Sequence, residues 1–242
     1  MLSDFNCKIF DIDKFDALAL PDGQLCKSTD KIFSDLAILD KCDFHTLVCL
    51  VDHDEYSSVR TTLHKVNTLK NHIKNILRNN NKRKFSVSVF PRVCLSCNAP
   101  YIENINSLTA GSSNYIFLSL PLALAQDDFD EALNKILYNC KLLPIFTDCQ
   151  IYRTLYSDEF IKKLIRIKGA VFQFSLKNES FEENISLIKQ IYANDKTVLL
   201  GTGCDHNDFN KSVIVRNLKI LKNNLGADAY TDIVLRSHGF LR

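Results

Sequence analysis

The sequence predicts an α/β fold built on parallel strands, and three observations carry that prediction. The first is the stretch Leu142–Ser175, in which an apolar run (Leu142–Phe146), a polar cluster, a helix-like segment and a second apolar run follow one another. The second is that the same alternation of short β-branched or apolar runs with longer amphipathic segments recurs along the chain. The third is size: 242 residues with 46% hydrophobic content can enclose one core of barrel or doubly wound type. A single domain spanning 1–242 is expected.

The central stretch sets the pattern. Ser157 precedes an acidic first turn, and Phe160, Ile161, Leu164 and Ile165 then recur at helical spacing, which predicts a helix capped by Ser157. Gly169 ends it before the strand at Val171–Ser175. A strand, a helix and a second strand joined this way form a βαβ unit, whose right-handed crossover stacks successive units into a parallel sheet or barrel. Thr147, Asp148, Cys149 and Gln150, just after the first strand, then lie on the rim where α/β proteins place their chemistry.

In chain order, Lys8–Asp13 reads as an opening strand ending in carboxylates. A helix follows behind Ser28, with Ile32, Phe33, Leu36 and Leu39 on one face, and then a strand at Thr46–Val51 leading into Asp52 and His53. By itself, His53 reads as a surface histidine. Ser57–Asn79 is the longest helix signal. Strands are expected at Phe85–Val93, Tyr115–Pro121 and Thr197–Gly201, and helices at Phe129–Leu142, Phe181–Ala193, Val213–Leu225 and Ala227–Leu235.

Charge is segregated. Tyr56–Ile102 holds nine basic residues and no Asp or Glu, which leaves 21 basic and 28 acidic residues in the remainder although the whole chain is only +2. Lys82, Arg83 and Lys84 are the anion-binding candidates of that segment. No aromatic residue interleaves with the charges of the helix, so nucleic acid is not the expected partner. Nine cysteines, five of them in or beside strand or helix patterns, read as free thiols of a reducing cytoplasm. No stretch approaches the ~18 apolar residues of a membrane span, and no export signal is expected. Cys94 and Cys97 have CxxC spacing, but no second pair stands at zinc-site distance. A Gly-rich phosphate loop with a Lys and a nucleophile elbow are both absent.

Pro144-Ile145, Tyr152, Gly169-Ala170 and Gln173 stand in a register that resembles the bacterial manganese-dependent protein-tyrosine phosphatases of capsule and exopolysaccharide clusters. Those enzymes belong to the PHP (polymerase and histidinol phosphatase) superfamily. The resemblance extends to Asp11, Ile12, Asp22 and Gly23 near the start, to Tyr115–Pro121, and to His206-Asn207. It implies an irregular TIM-like (β/α)7 barrel of PHP type and an ancestral metal-dependent hydrolysis of phosphotyrosine.

The family's metal ligands are largely replaced. Its first two His positions carry Asp13 and Phe15, and Asp52 and His53 take the next pair of His positions. Arg92 stands near the bridging Glu, Asp148 replaces the His of A-H-P-E-R-Y, and Cys204 or Asp205 falls at the Asp before His206. The pocket candidates are therefore Asp13, Asp52, His53, Arg92, Asp148, Cys204, Asp205 and His206. A phenylalanine cannot ligate, and an arginine can hold an anion but no metal. The resemblance thus implies a degenerate, catalytically impaired homologue acting as a binding or regulatory module. Its partner would be a phosphotyrosine protein or tyrosine kinase of a polysaccharide cluster, and no cofactor is expected. The alternative is an active phosphoesterase in which Asp13, Asp52, Asp148 and His206 hold one hard cation, Mn²⁺ or Mg²⁺. Oligomeric state is open.

Overall fold

In a computed structural model, residues 2–5, 34, 36–53, 56–79, 85–96, 99–121, 126–177, 179–203 and 210–240 are described. Seven strands, β1 (Leu2–Phe5), β2 (Phe44–His53), β3 (Ser86–Cys94), β4 (Tyr115–Ser119), β5 (Leu143–Phe146), β6 (Val171–Ser175) and β7 (Thr197–Gly201), follow chain order in one sheet. All neighbouring pairs are parallel. The sheet curls until β7 stands beside β1, as in a TIM-like barrel, although no β1–β7 hydrogen-bonded pairing occurs among the described residues.

Helices make most of the crossovers: α1 (Val59–Asn79) between β2 and β3, α2 (Gln126–Asn134) between β4 and β5, α3 (Asp158–Arg166) between β5 and β6, and α4 (Ile185–Ala193) between β6 and β7. After β7 come α5 (Lys211–Leu225) and α6 (Ala227–Gly239), the latter packed on both β7 and β1. Among the described residues, the β3–β4 crossover is irregular, with short 3-10 turns at Ala99–Tyr101 and Ile105–Leu108.

Strand alternation sorts the core into two parts. Val48, Phe117, Ile145, Val171 and Leu199 pack on one another as a small cluster contributed by five strands, with Leu50 and Phe90 against it. This is the inner, concave face. The other strand positions, including Leu47, Val51, Val93, Leu118, Phe146, Phe172 and Leu200, join the larger cluster that the helices cover. Parallel strands buried on both sides read as continuous apolar runs, and β6 is buried at all five positions.

The central unit forms as its sequence demands. Ser157 caps α3 by accepting a hydrogen bond from the Phe160 N–H, with Asp158 and Glu159 in the first turn and Lys163 and Arg166 in the last, matching the helix dipole. Phe160, Ile161, Leu164 and Ile165 are buried. Gly169 turns the chain at φ 77°, where a Cβ would meet Leu143 Cδ1 at 3.1 Å.

Three expectations shift. The long helix begins at Val59 rather than Ser57, because Ser58 Oγ accepts from the Thr61 N–H and so caps it. The helix expected at Phe129–Leu142 is Gln126–Asn134 followed by a wider turn at Lys135–Asn139, which closes where the Cys140 N–H bonds Lys135 O and Lys141 turns left-handed at φ 56°. Phe181–Asn184 winds as a 3-10 turn before α4 proper. The strand expected at Lys8–Asp13 lies outside the described residues, as do Ser28, Ile32 and Phe33 of the helix after it.

Candidate functional site

Three of the sequence candidates meet at the C-terminal ends of β2, β3 and β5. Asp52 and Arg92 are direct register partners on neighbouring parallel strands, so their side chains leave the sheet on the same face. Each continues an inward stripe, Val48–Leu50–Asp52 on β2 and Phe90–Arg92 on β3. Arg92 presents its Nε and Nη2 edge to Asp52, with Nε to Oδ1 at 2.5 Å and Nη2 to Oδ2 at 2.8 Å. Its third nitrogen, Nη1, donates to Asp148 Oδ2 at 2.9 Å.

Asp148 reaches this point through its backbone. Lying after β5, an extended residue at 148 would alternate away from the concave face, but Asp148 adopts the left-handed conformation at φ 56°. Asp is among the few non-glycine residues that tolerate it. Two amides hold the turn: Gln173 Oε1 accepts from the Asp148 N–H at 3.0 Å, and Gln150 Nε2 donates to Asp148 Oδ1 at 3.3 Å. Gln150 Oε1 in turn accepts from the Ser175 N–H, and Ser175 Oγ donates to Thr202 O at 3.0 Å. The rim of β5 is thereby tied to the ends of β6 and β7.

All four carboxylate oxygens of Asp52 and Asp148 accept a hydrogen bond, three of them from one guanidinium. The Arg92 side chain is 11% exposed, against 25% for Asp148 and 66% for Asp52. Burial opposes the charge on Arg92, but hydrogen bonds and Coulomb attraction from Asp52 and Asp148 outweigh it and hold its pKa above the ordinary value. The cluster carries a net single negative charge. Bidentate pairing of this kind is the stronger form of ion pair.

Among the described residues, Asp52, Arg92 and Asp148 by themselves do not fit a metal. A cation at the two aspartates would have to displace a guanidinium that does not deprotonate and has no lone pair to contribute. Among the described residues no group of three or more His, Cys, Asp and Glu stands close enough to share an ion. Asp13, Cys204, Asp205 and His206 lie outside the described residues, as do Lys82, Arg83 and Lys84.

His53 departs from its expected place. It is buried rather than on the surface, and as the residue after Asp52 on the same strand it projects from the opposite face, where Nδ1 shares a 2.7 Å hydrogen bond with Thr62 Oγ1 of α1. It lines a cavity of about 730 Å³ with Tyr56, Val93, Cys94 and Tyr101. Cys94 is exposed and free; Cys97 lies outside the described residues. Cys149, beside Asp148, is no nucleophile: it is fully buried, it donates to Phe146 O, and burial pushes its thiol pKa up.

Ser175 was not among the sequence candidates, Gln150 was named only as a rim residue after β5, and Gln173 only as part of the family register. Their signal was present in the strand Val-Phe-Gln-Phe-Ser, where one amide interrupts an apolar run. Gln173 is wholly buried, and its Nε2 finds no acceptor among the described residues, which makes it a spare donor close to the Asp148 turn.

No protein-family model matches the chain, and no curated protein sequence matches it either. Among solved structures it is similar to a chain from the crystal structures of YwqE from Bacillus subtilis and CpsB from Streptococcus pneumoniae, unique metal-dependent tyrosine phosphatases. That likeness has a TM-score of 0.64 at 15% sequence identity and covers 100% of this chain and 94% of the other. An adenine deaminase from Arthrobacter aurescens aligns with a TM-score of 0.43 at 10% identity, over 98% of this chain and 92% of that one. At such identity the first likeness is one of fold.

Proposed function

We propose that this chain is a degenerate homologue of the PHP-type tyrosine phosphatases, a single domain in which the catalytic centre has become a binding or regulatory site. The observation that carries the proposal is the saturation of Asp52 and Asp148 by Arg92 and Gln150. Where a metal-dependent hydrolase needs carboxylate oxygens open to cations, these oxygens are already bonded, and the positive charge of the site is part of the protein.

An anion reaches this net-negative cluster by displacing Asp52 from Arg92. Asp52 is the solvent-facing arm of the cluster, so an incoming phosphate competes with it for the Nε and Nη2 edge of Arg92 while Asp148 keeps hold of Nη1. A phosphoryl group matches that fork as well as a carboxylate does. By the family resemblance, the ligand is a phosphotyrosyl side chain, carried by a protein or kinase of a polysaccharide cluster in the cytoplasm.

The test combines metal content, Mn²⁺ titration and phosphopeptide binding on the full chain. The expected result is no stoichiometric metal after purification without chelator, no saturable Mn²⁺ binding in the micromolar range, and phosphotyrosine-peptide binding that weakens at least tenfold in Arg92→Ala. Stoichiometric Mn²⁺, with phosphatase activity that falls in Asp148→Ala, would replace this reading with that of an active phosphoesterase.

A further inference from the structure

The outer face of α1 is a continuous polar ridge. Arg60, His64, Asn67, Asn71, Lys74 and Arg78 recur at intervals of four and three residues, which places them in one line, and all six are exposed. The opposite face, Thr62, Val66, Leu69, Ile73 and Leu77, is buried against the sheet. The ridge runs from Arg60 to Arg78, about 27 Å at the helical rise. Lys65 and Lys70 flank it, half-buried.

Two features characterise this face. Some basic residues elsewhere on the surface have acidic partners, Lys135 with Glu131, Lys163 with Asp130 and Arg236 with Asp195 and Asp232. Arg60, Lys65, Lys70, Lys74 and Arg78 stand in no ion pair among the described residues. In addition, the C-terminal end of the ridge opens into a groove of about 590 Å³ lined by Lys74, Leu77, Arg78, Phe85, Ser86 and Val87. The groove lies at the start of β3, six residues and so about 20 Å from Arg92 at its far end.

We infer that this ridge and groove bind an extended phosphate polyanion. Every exposed side chain along the ridge can donate a hydrogen bond and none is acidic, the chemistry of phosphate contacts that position a chain without reading bases. An acidic protein partner fits less well, because protein interfaces rely on large apolar or aromatic anchors and this ridge has none. Insertion into a membrane is disfavoured, since the apolar side of α1 is already buried in the core. With no Phe, Tyr or Trp in α1 to stack on bases, the ligand is held by its phosphates.

The probes are a fluorescein-labelled DNA duplex and inorganic polyphosphate, with poly-glutamate and anionic lipid vesicles as contrasts. Engagement of about four phosphates predicts a loss of duplex affinity of about 150-fold between 50 and 200 mM salt. The double variant Lys74→Glu/Arg78→Glu should weaken binding at least tenfold, while Lys222→Glu on α5 leaves it within twofold; circular dichroism confirms that each variant is folded. If polyphosphate competes and the duplex itself binds poorly, the ligand is the inorganic chain; equal binding points to any phosphate backbone. Equal affinity for poly-glutamate, binding to vesicles alone, or an unaffected double variant would overturn the inference. Arg92→Ala should not change this binding, which separates it from the phosphotyrosine site.

Discussion

Arg92 joins two acidic side chains that lie 40 and 56 residues away in sequence, and its neighbour in the site, Asp148, depends on a single left-handed backbone angle. A similar dependence on surroundings governs Cys149 and Tyr152, both wholly enclosed. Burial pushes both pKa values up, so the folded protein keeps these protons while the unfolded chain releases them above the ordinary thiol and phenol values. A raised folded pKa means stability that is fully present below the unfolded value and is lost as pH rises beyond it. Each such group steepens the loss by about 1.4 kcal/mol per pH unit. Urea unfolding between pH 8 and pH 10.5 should therefore show falling stability, and Cys149→Ala should flatten the limb that begins near pH 9 by about one proton. An unchanged slope would mean that Cys149 is accessible in the native state.

At the scale of elements, the caps and turns are where local sequence and tertiary packing meet. Removing the Ser157 hydroxyl leaves the Phe160 N–H without its partner, so Ser157→Ala should lower stability by about 1 kcal/mol with no effect on ligand binding. Gly203 is a harsher case. It sits at φ 60°, and a Cβ there would lie 2.0 Å from Ser175 Oγ, the group that bonds Thr202 O. Gly203→Ala should cost about 2–4 kcal/mol in denaturant unfolding and disturb the Gln150–Ser175 link behind Asp148. A Tm within a degree of the parent would show that β6 and β7 yield more readily at this corner than their packing implies.

Across the whole molecule, burial is uneven. Strand β6 is enclosed on both faces and β4 nearly so, whereas β3 alternates between buried and partly exposed positions. Amide exchange should accordingly be slowest in β4 to β7 and approach the global unfolding free energy there, with β3 and the turns at 99–108 opening first. Exchange as slow in β3 as in β6 would contradict that order. The uneven frame also places the two proposed binding regions at opposite ends of β3, so that each can be altered without the other.

What the sequence determined by itself is the succession of elements. The period of apolar residues, Ser157 before an acidic turn and Gly169 after the last helical residue are local signals, and helix α3 and strand β7 stand where those signals put them. The basic, acid-free character of α1 was equally plain from composition. What the tertiary structure alone decided is which polar groups meet. Asp52 and His53 are adjacent letters, yet strand alternation sends one into the concave face with Arg92 and the other to Thr62. That Asp148 accepts a hydrogen bond from Arg92 follows only from its backbone angle and the reach of Arg92. Hydrogen-bond partners separated by dozens of residues are set by register and curl of the sheet, and those are properties of the assembled strands rather than of any one segment.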